Sequence, residues 1–311
     1  MNKEGAMKIL LTGGAGFIGS QMAKSLLKQG DEVVVFDNVR EPELLVPVRD
    51  KITYIRGDAG SEADMYRAVV TCGADAVMHL AAIMGGPSEE DPPAALQVNF
   101  RSTQIILDAC LAVGIKKMFY MSSSAVYRQD APEPVPDDGP LGPSNIYGLS
   151  KMASELLCCW YARVHGIDCR GLRPTWVWGP HRARGMTTLY TNGLIDRFVA
   201  GGPVHISNPE EKGDWIYVHD LVRAALLVWN APAASRRFYT VCGELLTTRQ
   251  VAEAAQRVFP HVAVTYEEGA LSSNPYAVDF DDSPLRTEFA FRPEFTIEAA
   301  IRDYARSWGA L

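Results

Sequence analysis

Short runs of apolar, mostly β-branched residues alternate with longer segments of helical period from residue 8 to about residue 173. The short runs predict six strands, with the sequences KILLT, VVVFD, ITYIR, DAVMHL, KMFYMS and CRGLR. The segments between them predict helices over roughly 18–29, 61–72, 92–113 and 145–165. Between the second and third strands, Pro42 and Pro47 break any long helix. This alternation predicts an α/β fold in which helices cover both faces of a parallel sheet.

The pattern becomes less regular after Pro174, where the pieces WVWGP, GGP and NPEEKGDW precede mixed helical and strand-like segments. We therefore expect a first domain over 1–173 and a smaller, mixed C-terminal region over 174–311 that mainly binds substrate. This division leaves open a return of C-terminal elements to the first domain. A proline-rich loop over 130–145 leads into the helix predicted at 145–165.

Composition narrows the class of protein. Apolar residues make up 47% and charged residues 22% of the 311 positions, as in ordinary globular proteins. The net charge of −7 argues against a nucleic-acid-binding surface, which needs clustered Lys and Arg. No apolar run has the length of a membrane span, and the first residues lack the features of a signal peptide, so we expect a cytoplasmic protein.

Cysteine and histidine spacing indicates neither disulfides nor a metal site. The six cysteines show no CxxC pair, and we expect them to be reduced. The six histidines show no HExxH or Cys/His pattern, so we predict no metal.

A glycine-rich turn, TGGAGFIGS at 12–20, follows the first strand and opens the first helix. Its glycines can be read as Gly14, Gly16 and Gly19, or with wider spacing as Gly13, Gly16 and Gly19. Either set allows a tight turn that brings backbone N–H groups close to a pyrophosphate at the helix N-terminus. The sequence therefore favours a Rossmann-type, doubly wound sheet that binds a dinucleotide.

Asp37 ends the next strand, where a carboxylate binds ribose hydroxyls. A carboxylate there repels the 2′-phosphate of NADP, which favours NAD as the cofactor. Arg40 lies nearby and keeps NADP as the alternative.

Tyr147 and Lys151 stand four residues apart on a segment of helical period, so their side chains share one face. An ammonium beside a phenol favours the phenolate, so we expect Lys151 to lower the pKa of Tyr147 toward the working pH. Tyr147 then exchanges a proton with an alcohol or carbonyl. The alternative is a half-buried surface pair.

Six strings in the same order along the chain resemble the extended short-chain dehydrogenase/reductases. They are TGGAGFIG at 12–19, RGD at 56–58, VMHLAA at 77–82, MSSSAVY at 121–127, YGLSK at 147–151 and LRPTWVWGP at 172–180. More narrowly, they resemble the NAD-dependent epimerase/dehydratase branch, which includes nucleotide-sugar epimerases. The match spans most of the chain.

The resemblance implies a set of cofactor-binding residues. Gly13, Gly16 and Gly19 hold the pyrophosphate, Asp37 the adenosine ribose, Asp58 the adenine, and Lys151 the nicotinamide ribose, while Leu80, Ala81 and Ala82 line the site. The implied set also includes Phe17, Ile18, Asn38, Ala59, Tyr147 and Asn99. For Asn99 the alternative is a buried amide within a helix.

The same resemblance makes Ser123 the third catalytic residue, beside Tyr147 and Lys151, because it stands four residues before Tyr127. Ser122 and Ser124 are alternatives for binding the reacting oxygen. A capping role at the strand end is the structural alternative.

Four positions depart from the family pattern. Dehydratases and decarboxylases have acidic residues where this chain has Ser124 and Ala125, so we expect simple hydride exchange at a secondary alcohol. Nucleotide-sugar enzymes usually have Asn at Trp176 and Arg at Gly213, which puts a nucleotide sugar in doubt.

Candidate substrate contacts follow from this region. His181, Arg182 and Arg184 either bind a carboxylate or phosphate or form a solvated basic loop. Trp176 and Trp178 supply either a stacking wall or part of the core. Met84 and Ser124 complete the candidate substrate set.

We thus expect an NAD-dependent epimerase or oxidoreductase that transfers hydride at a secondary alcohol of a sugar or sugar-derived substrate. The alternatives are a simple dehydrogenase or reductase of a sugar acid or polyol, and a non-catalytic NAD-binding regulator. Apolar residues on more than one face of 145–165, from Leu156 to Trp160, predict a homodimer through the 92–113 and 145–165 helices.

Overall fold

The strands and helices of the computed structural model, which describes residues 5–182, 191–267 and 277–311, follow the predicted alternation through the first half of the chain. The strands are β1 Lys8–Thr12, β2 Glu32–Asp37, β3 Ile52–Arg56, β4 Ala76–His79, β5 Lys117–Met121, β6 Asp168–Pro174, β7 Trp176–Trp178, β8 Val204–Ile206, β9 Lys212–Tyr217, β10 Phe238–Val241, β11 Glu244–Thr247 and β12 Val264–Tyr266. The α-helices are α1 Phe17–Lys28, α2 Glu62–Thr71, α3 Gly85–Glu90, α4 Pro92–Leu96, α5 Ser102–Val113, α6 Ile146–His165, α7 Asn192–Val199, α8 Val218–Asn230, α9 Thr248–Val258, α10 Ser283–Phe289 and α11 Ile297–Ser307. Two 3₁₀ segments, Glu43–Lys51 and Ser124–Val126, and a π-helical segment, Gln97–Arg101, complete the set in these ranges.

A parallel sheet of seven strands in the described ranges has the order β10-β6-β5-β4-β1-β2-β3. All six predicted strands are in it, which confirms the predicted α/β fold. The seventh, β10, comes from the C-terminal region and pairs with β6 from Phe238 opposite Gly171. A Cβ at Gly171 would lie 2.7 Å from the Phe238 ring, so the glycine makes room for this aromatic side chain.

Helices cover both faces of the sheet. On one face, α2, α5 and α6 pack through residues such as Met65, Ile105 and Tyr161. On the other face, α1 and α8 pack through Met22 and Leu221. Because α8 and β10 follow residue 174 in the chain, the C-terminal region supplies part of the large sheet and its helical layer as well as its own elements.

The predicted helix at 92–113 is continuous, but its middle is a π-helical segment that the sequence did not predict. Asp91 caps α4 by accepting a hydrogen bond from the N–H of Ala94 at 3.1 Å. The backbone stays helical from Leu96 through Ser102, so α4 and α5 join through Gln97–Arg101. The short helix α3 before it was also not predicted.

A second core forms beside the large sheet. The small sheet β11-β9-β7 and helices α7, α9 and α11 bury an aromatic-rich cluster that includes Trp178 and Trp215. We therefore describe 174–311 as a region with two parts, one completing the large sheet and one forming this second core.

In the described part of the chain, no helix is long and apolar enough to cross a membrane. All six cysteines are free. A search of the same residues finds no group of three or more His, Cys, Asp or Glu side chains that could hold a metal ion.

Candidate active site

A cavity of about 840 Å³ lies at the carboxyl ends of the large-sheet strands, at the upper end of the size range of small-molecule sites. The turns after β1 to β6 all contribute to its lining. In an open parallel sheet this crevice is where ligands bind. Nearly all of the residues that the sequence proposed for binding the cofactor and substrate line this cavity.

Of the two glycine sets that the sequence left open for the tight turn, the structure supports the one with the wider spacing, Gly13, Gly16 and Gly19. Gly13 has φ +69°, and a Cβ there would lie 2.6 Å from the backbone nitrogen of Ala81. A Cβ at Gly19 would lie 2.1 Å from the carbonyl oxygen of Gly13. Gly14 instead packs toward the core, where a Cβ would meet Val35 at 2.8 Å.

Gly16 is the N-cap of α1, and it has no side chain to cover the helix N-terminus. A Cβ at this position would lie 3.3 Å from the carbonyl oxygen of Gly13, a tight contact, and Gly16 itself lines the cavity. Phe17 and Ile18 line the cavity next to it. This turn fits the pyrophosphate of a dinucleotide, because both close approach and N–H donors are available.

Two carboxylates follow β2 and β3 at one side of the cavity. Asp37 accepts hydrogen bonds from the N–H groups of Ala15 at 2.9 Å and Val39 at 3.2 Å. Asp58 accepts from the N–H of Gly60 at 2.8 Å. Both line the cavity, as do Asn38 and Ala59 beside them. The carboxylates are thus held by the backbone at the side where the sequence predicted the adenosine.

The three predicted catalytic residues meet because α6 begins against the turn after β5. Asn145 caps α6 by accepting from the N–H of Gly148 at 2.7 Å. A Cβ at Gly148 would lie 2.3 Å from the carbonyl oxygen of Ala125, so only glycine permits this approach. The contact brings Tyr147 next to Ser123, and both line the cavity with Lys151.

The titration of Tyr147 differs from the sequence expectation. Burial raises the pKa of Tyr147 to about 12, while a hydrogen bond from Ser123 and the positive charge of Arg182 lower it. The prediction that Lys151 provides the lowering charge was wrong for this structure. The phenol is therefore neutral near pH 7, and the cation that lowers its pKa is Arg182.

Lys151 is almost completely buried, at 2% exposure. Its Nζ donates to the carbonyl oxygen of Met121 at 2.8 Å and lies 5.7 Å from the centre of the Tyr147 ring. Burial lowers the pKa of Lys151 to about 7, against the Glu155 carboxylate, which raises it. Desolvation therefore outweighs the nearby negative charge.

The remaining candidates divide between the cavity and the core. Leu80, Ala81, Ala82, Met84, Ser124, Trp176, His181 and Arg182 all line the cavity. The ring of His181 also lies 5.1 Å from the ring of Trp308. Trp178, offered as a second stacking wall, is 1% exposed and belongs to the second core. Arg184 lies outside the described residues.

Asn99 does not line the cavity, which corrects its proposed role in cofactor binding. Its side chain is fully buried, accepts from the N–H of Ile83 at 2.7 Å and donates to the Ile83 carbonyl oxygen at 3.0 Å. It also donates to the Ser150 hydroxyl at 3.1 Å. The alternative of a buried helix amide is correct, and its effect is to fix the turn after β4 against α6.

Sequence reasoning missed several lining residues, among them Ile83, Arg128, Gln129, Thr175 and Ala277. Arg128 and Gln129 directly follow the MSSSAVY string, and Thr175 follows β6. Their position just beyond strand ends was the available signal, since the crevice forms there. Ala277 comes from the C-terminal region, and nothing in its sequence context indicated the cavity.

Comparison with known proteins matches residues 9–242 to the model of the NAD dependent epimerase/dehydratase family. D-erythronate dehydrogenase of Cupriavidus necator is 29% identical over 285 residues, which is 86% of this chain and 88% of that protein. Mitochondrial L-threonine 3-dehydrogenase of Sus scrofa is 27% identical, over 97% of this chain and 83% of that protein.

The solved structure of Thermus thermophilus UDP-glucose 4-epimerase in complex with NAD has a TM-score of 0.83 and 27% identity. The alignment covers 97% of this chain and 99% of that one. These relatives confirm the Rossmann-type fold and the resemblance drawn from the six strings. The matched family model, the NAD complex of this relative and the glycine turn together identify NAD as the cofactor. The chain belongs to the NAD dependent epimerase/dehydratase family.

Proposed function

We propose that this protein is an NAD-dependent dehydrogenase that oxidises a secondary alcohol of a small sugar-derived substrate and releases the carbonyl product with NADH. The observation that carries this proposal is the meeting of Ser123, Tyr147 and Lys151 in the cavity that the glycine turn also lines. The described lining holds no carboxylate beside Tyr147, which argues against the extra proton transfers of dehydration.

Each catalytic residue has a distinct task in this proposal. The Ser123 hydroxyl donates a hydrogen bond to the reacting oxygen, and Tyr147 takes the proton from it in oxidation or returns it in reduction. Lys151 positions the cofactor ribose. NAD, when bound, supplies the acceptor for the hydride ion that leaves the alcohol carbon. The C–H and O–H bonds break, the C=O bond forms, and the proton passes through Tyr147 to solvent.

The test is incubation of the protein with NAD and a panel of erythronate, threonine, erythritol, other sugar acids and UDP-glucose. We expect NADH absorbance to rise with at least one hydroxy compound. Product stereochemistry is recorded in parallel, because an inverted alcohol without net NADH identifies an epimerase instead. No turnover of any compound, with NAD binding intact, would support the non-catalytic alternative.

Asp37 sets the preference for NAD over NADP in this proposal. At a ligand concentration of 100 times Kd, binding stabilises the folded state by about 2.7 kcal/mol, which raises the melting temperature by several degrees. We expect NAD to give the larger rise. Asp37→Asn keeps an acceptor for the Ala15 N–H and removes the charge that repels a 2′-phosphate.

Asp37→Asn should therefore narrow the difference between the rise in melting temperature with NAD and the rise with NADP, measured in the same thermal-shift experiment. Asp50→Asn, at an exposed position before β3, serves as the matched control. A rise with NADP equal to that with NAD in the wild type contradicts the role of Asp37.

The homodimer is proposed to form through α5 and α6. Leu156 and Trp160 are 58% and 43% exposed, and with Val164 they follow one another at a spacing of four residues on α6. Cys158 is fully buried and takes no part in this surface, which corrects the sequence set. An apolar stripe of this kind is typical of a helix that packs on a second copy.

We expect light scattering to give the mass of a dimer at micromolar concentration. The double variant Leu156→Glu and Trp160→Glu should give a monomer, because two buried charges cost more than the contact supplies. A wild-type monomer across this range refutes the proposal. The cytoplasmic location expected from the sequence stays a prediction.

A further inference from the structure

The charges that line the cavity are distributed unevenly. Among the described lining residues, the carboxylates are Asp37 and Asp58, which follow β2 and β3 at one edge of the sheet. Lys151 and Arg182 lie beside Tyr147, next to the turns after β5 and β6. A substrate that reaches Tyr147 therefore meets positive charge without a neighbouring lining carboxylate, which favours an anion.

Of the basic side chains in this part of the lining, Arg182 is the best placed to bind the anion. Arg128 is already held by Asp130 through two hydrogen bonds of 2.9 and 2.6 Å. Burial lowers the pKa of His181, so its ring is neutral near pH 7. Lys151 is bound to the Met121 carbonyl and belongs to the cofactor side.

The guanidinium of Arg182 is oriented by the backbone. Its Nη1 donates to the carbonyl oxygen of Val177 and, at 3.1 Å, to the hydroxyl of Thr191. Arg182 and Tyr147 line the same cavity, where each also affects the pKa of the other. A planar guanidinium with its directed N–H donors matches a carboxylate in shape as well as in charge.

Trp176 forms a wall of the same cavity and is fixed from behind by β9. Its ring lies directly on Gly213, where a Cβ would approach Cε3 of the indole to 2.2 Å. In the register of β7 and β9, Trp176 is opposite Trp215, and their ring centres are 6.2 Å apart. The indole of Trp176 therefore occupies the space that a side chain at position 213 would need, so the two positions depend on each other sterically.

This arrangement limits how far a substrate extends from Tyr147 toward β9. The Trp176 side chain is 8% exposed, and it fills the space over Gly213 while also lining the cavity. A rigid aromatic wall held by Trp215 and by the backbone of β9 does not move aside without loss of packing. Long substrates are excluded in this direction.

We propose, on the basis of the function proposed above, that the substrate is a short-chain hydroxy acid whose carboxylate binds Arg182 and whose length is limited by Trp176. The carboxylate is unchanged in the reaction, in which the alcohol C–H and O–H bonds break and the C=O bond forms. Arg182 and Trp176 are thus specificity-determining residues.

The first experiment compares erythronate with its neutral amide and with erythritol, using NAD and either the wild type or Arg182→Gln. We expect the wild type to prefer the acid in kcat/KM by about 10- to 100-fold, as for a hydrogen-bonded charged group. Arg182→Gln should abolish most of this preference through a higher KM for the acid.

The ratio of acid to amide is the deciding quantity, because loss of Arg182 also changes the titration of Tyr147 for both substrates. Arg49→Gln removes an exposed cation that is not part of the cavity lining and should keep the wild-type ratio. An unchanged ratio in Arg182→Gln, or an equal loss in Arg49→Gln, overturns the role of Arg182.

The second experiment changes Trp176 and varies substrate length from four-carbon to six-carbon sugar acids. Trp176→Ala should raise the kcat/KM of six-carbon acids relative to four-carbon acids by at least about 10-fold, because the space over Gly213 opens. If this variant does not fold, Trp176→Phe should give a smaller change in the same direction. An unchanged ratio in a folded variant overturns the role of Trp176.

The outcomes separate this inference from the proposed function. Turnover of erythritol or UDP-glucose in preference to every hydroxy acid leaves a dehydrogenase or epimerase in place and refutes the substrate class. If no compound is turned over, the proposed function itself is refuted, and the substrate class that rests on it is refuted with it.

Discussion

Tyr147→Phe is expected to lower turnover by roughly two to four powers of ten while leaving folding and NAD binding nearly unchanged. Phenylalanine keeps the ring against the start of α6 and removes only the oxygen that carries the proton. The measurement is kcat with the best substrate of the panel, together with the NAD-induced shift in melting temperature. The largest loss should appear in kcat rather than in KM, because the oxygen acts on the reacting group.

The pH dependence of the same reaction provides an independent check. With the pKa of Tyr147 raised to about 12, the phenolate fraction below that pH increases about tenfold per pH unit. We expect the wild-type oxidation rate to rise with pH between about 7 and 10, and the residual rate of the Phe variant to rise much less. Reduction of the carbonyl product, which needs the neutral phenol, should not show this rise.

The matched control is Tyr66→Phe on α2, where the side chain is 42% exposed and outside the cavity lining. It should keep the wild-type rate and pH profile. A Tyr147→Phe variant that retains turnover within a factor of three would falsify the catalytic assignment, even with the NAD site intact.

Lys151→Met is expected to reduce both turnover and NAD affinity, by about 10-fold or more each, and at the same time to stabilise the cofactor-free protein. The ammonium is assigned to the cofactor ribose, so its loss weakens NAD binding and also misplaces the nicotinamide that must receive the hydride. Burial nevertheless lowers the pKa of Lys151 to about 7, which means that its charged form is unfavourable inside the folded protein. Methionine fills similar space without that charge.

The sign of the pH effect follows from the difference in bound protons. Between about pH 7 and the ordinary lysine value of 10.5, the unfolded chain holds a proton on Lys151 that the folded protein has lost. In that window the free energy of unfolding of the wild type rises with pH, by up to about 1.4 kcal/mol per unit relative to Lys151→Met. Below about pH 7 both states are protonated, and the difference no longer changes.

The stabilisation by methionine should therefore be largest at pH 7 or below and smaller at pH 9. Urea unfolding without NAD at pH 6.5, 7.5, 8.5 and 9.5 measures it, and loss of the hydrogen bond to Met121 subtracts about 1 kcal/mol at every pH. Lys116→Met, at an exposed position on the turn before β5, should show no such trend. A stability difference for Lys151→Met that does not change with pH refutes the inferred burial of the charge.

The sequence determined the strands of the large sheet and the location of its ligand crevice. Strands β1 to β6 were predicted within one or two residues. Strands such as β1, β4 and β5 are short, largely apolar runs because both of their faces are buried in a parallel sheet. The glycine turn and Asp37 were equally readable, since the backbone geometry at Gly13 and Gly19 permits no side chain. These signals depend on residues that are neighbours in the sequence, so the sequence alone determines them.

The contacts between distant parts of the chain were decided only in the tertiary structure. The family resemblance implied Asn99 as a cofactor-binding residue, but its amide is used to hold Ile83 and Ser150. It offered Lys151 as the charge next to Tyr147, whereas burial of the phenol and the approach of Arg182 set the pKa. Desolvation depends on everything packed around a group, which no spacing along the chain contains.

The same reason explains the two departures from the family pattern at Trp176 and Gly213. These residues stand 37 positions apart in the sequence, where the missing Asn and the missing Arg appeared as separate losses. Pairing of β7 with β9 brings the indole onto the glycine and makes them one wall. Likewise, β10 joins β6 only because the chain returns to the free edge of the sheet. The sequence determined which elements form and where a dinucleotide binds, and the packing of remote elements decided the charge, shape and size of the space beside Tyr147.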